Sequence, residues 1–175
     1  YVMVALSWII ISLIGALPFY LSGSIPSYID AVFETISGFT TTGATILTNV
    51  EKLSHGMLFW RSFTHWVGGM GVLVFILAIL PLAGGENMHL MKAESPGPTV
   101  GKLVPKLRKT AFYLYAIYFS MTVIEFVLLV LNHMPVFDAI CVSMGTAGTG
   151  GFGIKNDSMA SYGVSAQAII TVFMF

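Results

Sequence analysis

The sequence has few charged residues: only 9% of its 175 residues are Asp, Glu, Lys or Arg, whereas 56% are hydrophobic. Soluble domains carry roughly 25% charged residues, so this composition indicates a membrane protein. The formal net charge is zero, which gives no support for binding to nucleic acid. Cys141 is the only cysteine, so an intrachain disulfide is excluded.

The sequence also lacks the motifs of enzymes and of metal or nucleotide sites. Its four histidines show no metal-ligand spacing, and no Ser/His/Asp or paired-carboxylate arrangement is present. We therefore expect no enzymatic activity and no covalently bound cofactor. Residues 148–153 spell G-x-G-x-x-G, but the dinucleotide motif needs an acidic residue about 20 positions later. No acidic residue follows Asp157, so we exclude dinucleotide binding.

Four apolar stretches are candidates for membrane spans, at residues 1–29, 62–85, 110–137 and 158–175. A spanning helix needs about 20 residues, which the first three stretches provide and the fourth barely does. We therefore predict an all-α polytopic membrane protein with about four spanning helices in this sequence. We also expect the sequence to be part of a longer protein.

Basic residues indicate the orientation of these spans. Five of the eight lie between residues 84 and 110, namely Lys92, Lys102, Lys106, Arg108 and Lys109. The positive-inside rule places this segment in the cytoplasm. The loops on the other side of the flanking spans then face outward.

Two segments that begin at Asp30 and Asp138 resemble each other. Each starts with Asp-Ala, continues for about three helical turns and ends in Thr and Gly. We predict that each Asp is a helix N-cap. A helix over residues 30–39 is about 15 Å long, half a bilayer, and is therefore expected to be re-entrant. Non-helical backbone after it is tolerated in a membrane only inside protein or along a water-filled path.

The order of these parts predicts parallel repeats of span, re-entrant pore loop and span, as in potassium channels. We assign the first repeat to residues 1–83 and a cytoplasmic basic linker to residues 84–109. The second repeat occupies residues 110–175, and its last span is truncated.

The Thr/Gly segments are candidate selectivity filters, since potassium filters replace the ion's hydration shell with backbone carbonyls. In the first segment we select Thr41, Thr42 and Gly43. The second segment reaches Gly150 twelve residues after its Asp, where the first needs thirteen to reach Gly43. We align these two glycines, which selects Gly148, Thr149 and Gly150. The alternative is that small residues merely allow close helix packing.

Two acidic residues lie within predicted membrane segments, where ionisable groups are costly and usually functional. Glu34 lies in the first re-entrant helix and could pair with Arg61, which would brace that helix. Alternatively, Arg61 extends to the interface and Glu34 faces water. Glu125 lies in the middle of a span and has no obvious partner.

Four segments resemble the Trk/Ktr/HKT superfamily of potassium transporters, most closely its Trk-type uptake membrane subunits: residues 33–45, 59–71, 92–98 and 150–152. The resemblance implies four repeats around one pore in a bacterial plasma (inner) membrane, with K⁺ as the transported ion. It also implies a homodimer and a cytoplasmic nucleotide-binding regulatory ring as partner. Sodium-selective plant relatives carry Ser where this sequence has Gly43, which implies selectivity for potassium.

Potassium uptake through a filter of backbone carbonyls is therefore the leading functional hypothesis. Two alternatives remain open at this stage. One is a non-conducting membrane scaffold whose Thr/Gly loops are packing devices. The other is a solute or cation symporter with a site near the bilayer midplane that involves Glu125.

Overall fold

The computed structural model describes residues 2–71 and 100–174. In these ranges the helices are α1 Val2–Leu21, α2 Tyr28–Phe39, a 3-10 turn Val50–Lys52, α3 His55–Gly69, α4 Val100–Leu131, α5 Val136–Ala147 and α6 Val164–Met174. Neither range contains a β-strand. The predicted all-α class is confirmed for this part of the chain.

The two ranges have the same order of parts: a long helix, a short helix, a loop and a further helix. The short helices α2 and α5 both have 12 residues. They begin at residues 28 and 136, so 108 residues separate their starts. A 12-residue helix is about 18 Å long, which is less than the roughly 30 Å of a hydrocarbon core. Both short helices pack against α3.

The short helices begin two residues earlier than the sequence pattern predicts. Ser27 is the N-cap of α2, and its side chain accepts from the amide of Asp30 over 3.4 Å. Pro135 precedes α5 and forms no side-chain cap. The prediction that Asp30 and Asp138 are N-caps is therefore wrong, because each is the third residue of its helix. An Asp in the first turn still lies near the positive end of the helix dipole, which favours it there.

In the described part of the chain, residues 111–131 of α4 form the helical segment that is long and apolar enough to cross a membrane. α1 has 20 residues, and its side chains are described over the apolar stretch 6–21; α6 has 11 residues.

Of the predicted span at residues 62–85, residues 62–69 belong to α3, which begins earlier, at His55, and ends at Gly69. Residues 72–99, which include the first part of the predicted linker, lie outside the described residues. The number of four spans therefore stays a prediction.

The predicted linker also differs from the structure at its other end. α4 begins at Val100, so residues 100–109, which we assigned to the linker, belong to the same helix as the apolar segment. The helix includes Pro105. The basic residues of this stretch are thus carried on a continuous helix that leads into residues 111–131.

Large apolar side chains are common on the surface of the described residues, and polar side chains are common in the interior beside the apolar core. Large hydrophobic side chains are exposed along α1 and α4, among them Ile14 at 61% and Phe112 at 67%. The fully buried side chains include several polar ones, namely Glu34, Thr35, Ser62, Thr64, His65, Glu125 and Ser143. Such an arrangement fits an outer surface that contacts lipid and an interior where polar groups meet one another.

α3 approaches the ends of both short helices closely, because Gly68 and Gly69 have no side chains. A Cβ atom on Gly68 would collide with the carbonyl oxygen of Phe39, the last residue of α2. A Cβ atom on Gly69 would lie 2.9 Å from the Cα atom of Gly148, the C-cap of α5. Small residues allow helices in membranes to approach in this way.

We expect Gly68→Ala to destabilise the full-length protein by about 1–3 kcal/mol, because the methyl group overpacks α3 against α2. The matched control is Gly56→Ala in the same helix, where a Cβ atom would meet nothing within 4 Å. We expect this control to be neutral or stabilising, since Ala favours helices. Thermal unfolding in detergent measures both effects, and equal midpoints for the two variants would contradict the packing role.

Candidate ion-binding loops

The first loop begins where α2 ends and folds back over the last turn of that helix. The amides of Thr41 and Thr42 donate to the carbonyl oxygens of Gly38 and Ser37, each over 3.0 Å. The hydroxyl of Ser37 donates to the carbonyl oxygen of Ala44 over 2.5 Å. The loop is therefore tied to the helix on both sides of Gly43.

Glu34 of α2 holds the next residues of the first loop. Its carboxylate is 1% exposed and accepts from the Thr45 hydroxyl over 2.9 and 3.0 Å and from the Ile46 amide over 3.0 Å. Arg61 Nε donates to Glu34 Oε1 over 2.6 Å, and both side chains are buried. Of the two arrangements that the sequence left open, the structure contains the ion pair.

Arg61 also contacts the second loop. Its Nη1 donates to the carbonyl oxygen of Gly153 over 2.7 Å. The guanidinium carbon lies 3.7 Å from the ring centroid of Phe152. One side chain of α3 therefore joins the first short helix to a loop that follows the second one.

The two loops share a backbone pattern, but their register differs by one residue from the alignment that we predicted. In the first loop φ is +53° at Thr41 and +74° at Gly43; in the second it is +55° at Thr149 and +72° at Gly151. Each pair follows its helix at the same distance, since both helices have 12 residues. The structure thus aligns Gly151 with Gly43, and the alignment with Gly150 is wrong. The two loops correspond when residues are counted from the ends of α2 and α5, and this count pairs Gly43 with Gly151.

The backbones of the two loops are in contact. A Cβ atom on Gly43 would collide with the carbonyl oxygen of Gly150. A Cβ atom on Gly150 would lie 2.6 Å from the carbonyl oxygen of Thr41. Of the predicted second set, Gly148 lies one position before the counterpart of Thr41, at the end of α5. The structure therefore places carbonyl oxygens of both loops in a region without room for added side chains.

Glu125 does not belong to either loop. It lies within residues 111–131 of α4, is 1% exposed and lies close to Thr146 in the last turn of α5. The Thr146 hydroxyl donates to the carbonyl oxygen of Val142 over 2.9 Å. The Oε1 atom of Glu125 has no hydrogen-bond partner among the residues that the structure describes.

Two further residues lie at the second loop: His65 of α3 packs against it, and Phe152 belongs to it. His65 is 0% and Phe152 1% exposed, and their ring centroids lie 4.6 Å apart in an edge-to-face arrangement. From the sequence, His65 is one of four histidines without metal-ligand spacing. Its spacing of four from Arg61 places both on one face of α3, which is the signal that could have identified it. Phe152 lies in the segment 150–152 that carries the family resemblance, but the sequence indicated no role for its ring.

Comparisons with known proteins show which sequences this chain is similar to. The sequence model of the TrkH family, described as a cation transport protein, matches residues 1–175. The Trk system potassium uptake protein TrkH of Salmonella typhimurium is 41% identical over 177 residues, which cover 99% of this chain and 37% of the relative. An uncharacterized cation transporter of Methanocaldococcus jannaschii is 37% identical over 97% of this chain and 35% of the relative.

A solved structure is similar as well. The crystal structure of the potassium transporter TrkH from Vibrio parahaemolyticus matches with a TM-score of 0.76 and 35% sequence identity. The match covers 98% of this chain and 34% of that one. The chain therefore spans little more than a third of the length of the relatives that it matches.

We expect Glu34→Gln to destabilise the full-length protein by about 3–5 kcal/mol, because Arg61 then stays buried without a counter-charge. The matched control is Glu51→Gln, which alters an exposed carboxylate that accepts from the Asn156 amide over 3.1 Å. The control should change stability little, since exposed charges are solvated in either state. Thermal unfolding in detergent distinguishes them, and similar small losses in both would show that the ion pair stabilises little.

Proposed function

Because the chain belongs to the TrkH family of cation transport proteins, we propose that it is part of a potassium uptake pathway across a bacterial plasma (inner) membrane. Relatives at 40–41% identity are named Trk system potassium uptake proteins. In this proposal the ion passes a filter built from backbone carbonyls of both loops. K⁺ is the transported ion and not a resident cofactor.

The contact between two loops of matching backbone pattern is the observation that carries the proposal. In each loop φ is positive at two positions separated by one residue, as at Thr41 and Gly43. A potassium filter is lined by backbone carbonyl oxygens that replace the hydration shell of the ion, and loops of matching backbone pattern can supply such oxygens together. The proposed filter residues are Thr41, Thr42 and Gly43 with their structural counterparts Thr149, Gly150 and Gly151.

The electrostatic setting of both loops favours a cation. Each loop follows the C-terminal end of a short helix, where the helix dipole carries partial negative charge. Residues 40–45 and 148–153 contain no Lys or Arg. The nearby cation Arg61 is neutralised by its ion pair with Glu34. A dehydrated cation is therefore stabilised here, whereas an anion is not.

Selectivity for potassium is proposed to depend on Gly43. A side chain at this position would meet the carbonyl oxygen of Gly150, so a larger residue has to displace the second loop. Positive φ at Gly43 also disfavours residues other than glycine. A displaced loop changes the distances between carbonyl oxygens, and these distances and dipoles decide which ion replaces its water most favourably.

The assembly around this site is also a proposal. The chain covers 37% of its Salmonella relative, and we propose two further units in the same polypeptide, so that four surround one pore. In this layout residues 1–83 and 110–175 are the first two repeats. Residues 84–109 face the cytoplasm and are available to a nucleotide-binding regulatory ring, and the complete subunit forms a homodimer.

We expect Gly43→Ser to lower the preference of the full-length protein for K⁺ over Na⁺ by about tenfold, since filter geometry sets the preference. Rubidium uptake with sodium as competitor, in cells without their own potassium uptake, measures the change. Gly23→Ser is the matched control, because Gly23 also has positive φ but a Cβ atom there meets nothing within 4 Å. An unchanged preference in Gly43→Ser would count against the filter assignment.

Crystals of the full-length protein soaked in rubidium should show anomalous density next to Gly43 and Gly150. Density is expected there because carbonyl oxygens of both loops share that region. Density beside Glu125 instead would favour a symporter with a midplane site, since that carboxylate has an oxygen without a partner among the described residues. No density at either place would favour a non-conducting scaffold.

A further inference from the structure

His65 occupies the space directly behind the second loop. Its imidazole takes up the positions that side chains at Gly148 and Gly150 would need: a Cβ atom on Gly150 would collide with Nε2 and Cε1, and one on Gly148 would lie 2.5 Å from Cδ2. The carbonyl oxygen of His65 is 2.8 Å from the same Gly148 position. The second loop therefore rests on the ring and on the backbone of one residue of α3.

This contact explains a difference between the two loops. With helix ends as the reference, Gly148 and Gly150 correspond to Thr40 and Thr42 in the first loop. The hydroxyls of Thr40 and Thr42 lie 2.8 Å apart in an exposed hydrogen bond. Their side chains have room, whereas the equivalent space in the second loop is filled by His65. The glycines of the second loop are thus complementary to this histidine.

The imidazole acts through its shape. Neither of its nitrogens has a hydrogen-bond partner among the residues that the structure describes. The carboxylate nearest to α3 in this region, Glu34, is already bonded to Arg61 and to Thr45. The imidazole ring packs edge-to-face against Phe152, with the ring centroids 4.6 Å apart. Phe152 in turn lies under the guanidinium of Arg61, with its ring centroid 3.7 Å from the guanidinium carbon. The imidazole is therefore held between Phe152 and the second loop.

We propose that His65 is a positioning residue that sets the location of the second loop and thereby the ion preference of the filter. The inference rests on the proposed function, because His65 can affect the preference for K⁺ only if the two loops form the filter. It adds a residue of α3 that need not touch the ion. Its effect is transmitted through the backbone at Gly148 and Gly150.

The test is a double-mutant cycle in the full-length protein. We expect Gly150→Ala to lower rubidium uptake about tenfold, because the methyl group overpacks the loop against His65. His65→Ala removes the contact with the ring, whereas the close approach to the carbonyl oxygen of Thr41 remains. The double variant should therefore recover part of the lost uptake. His65→Ala alone should keep uptake but reduce the preference for K⁺ over Na⁺ several-fold, which a loss of fold stability alone would not do.

The matched control is His55→Ala, at the start of the same helix, where the ring contacts Phe137 and not the loop. Its uptake and preference should equal those of the wild type. If His65→Ala is not recovered in membranes, His65→Asn completes the cycle, since it also removes the edge of the ring. Rescue of Gly150→Ala by either variant supports the inference.

The inference is overturned if the double variant is present in membranes at the wild-type level but takes up as little rubidium as Gly150→Ala. It is also overturned if His65→Ala shows the wild-type ion preference. Both results presuppose a wild type that takes up rubidium. A wild type without uptake instead contradicts the proposed function, so the two failures are distinguishable.

Discussion

The buried ion pair between Arg61 and Glu34 connects the parts of this structure that form the candidate site. Removing two charges from water costs several kcal/mol per ion, and their attraction offsets this only when the remaining polar atoms are also bonded. Here Glu34 also accepts from Thr45 and Ile46, and Arg61 also donates to Gly153. The bonds from Thr45 and Ile46 to Glu34 hold the first loop, and the bond from Arg61 to Gly153 holds the second. The hydrogen bonds that stabilise the buried charges therefore also position both loops.

Close backbone approach is the second constraint, and it follows from the position of α3 between the short helices. Gly68 and Gly69 allow α3 to reach the ends of α2 and α5. Gly38 of α2 likewise allows α2 to approach α3, since a Cβ atom on Gly38 would collide with the hydroxyl of Thr64. Where two backbones are in contact without side chains between them, carbonyl oxygens line the space between the segments. A carbonyl-lined path for a cation therefore depends on the packing of glycine against helix ends.

The membrane character of the chain makes both constraints stricter. The helix surfaces of α1 and α4 expose large apolar side chains, while the polar groups lie inside. In lipid, backbone groups without a partner cannot be solvated by water, so irregular loops persist only where protein or a water-filled path surrounds them. The first loop meets this condition through bonds to its own helix and to Glu34. The second meets it through Arg61 and through contact with His65.

Much of the architecture was predictable from the sequence, because helices follow from local patterns of apolar residues and from small polar residues at their ends. The all-α class, the short helices before the Thr/Gly segments and the candidate pairing of Glu34 with Arg61 arise in this way. The N-caps were misplaced by three residues, since Ser27 and Pro135 occupy the cap positions that were predicted for Asp30 and Asp138. The alignment of Gly150 with Gly43 failed for a related reason: it counted to a glycine, whereas equal helix lengths fix Gly151 as the counterpart.

The remaining features were decided only by the tertiary structure. Sequence alone determined that the chain is a helical membrane protein with two Thr/Gly segments at a regular interval. It did not determine that Arg61 reaches Gly153, that His65 fills the space behind Gly148 and Gly150, or that Glu125 meets Thr146. Local patterns encode which face of a helix is apolar, but contacts between residues far apart in the chain depend on how closely helices pack. Here the absence of side chains at a few glycines sets that distance.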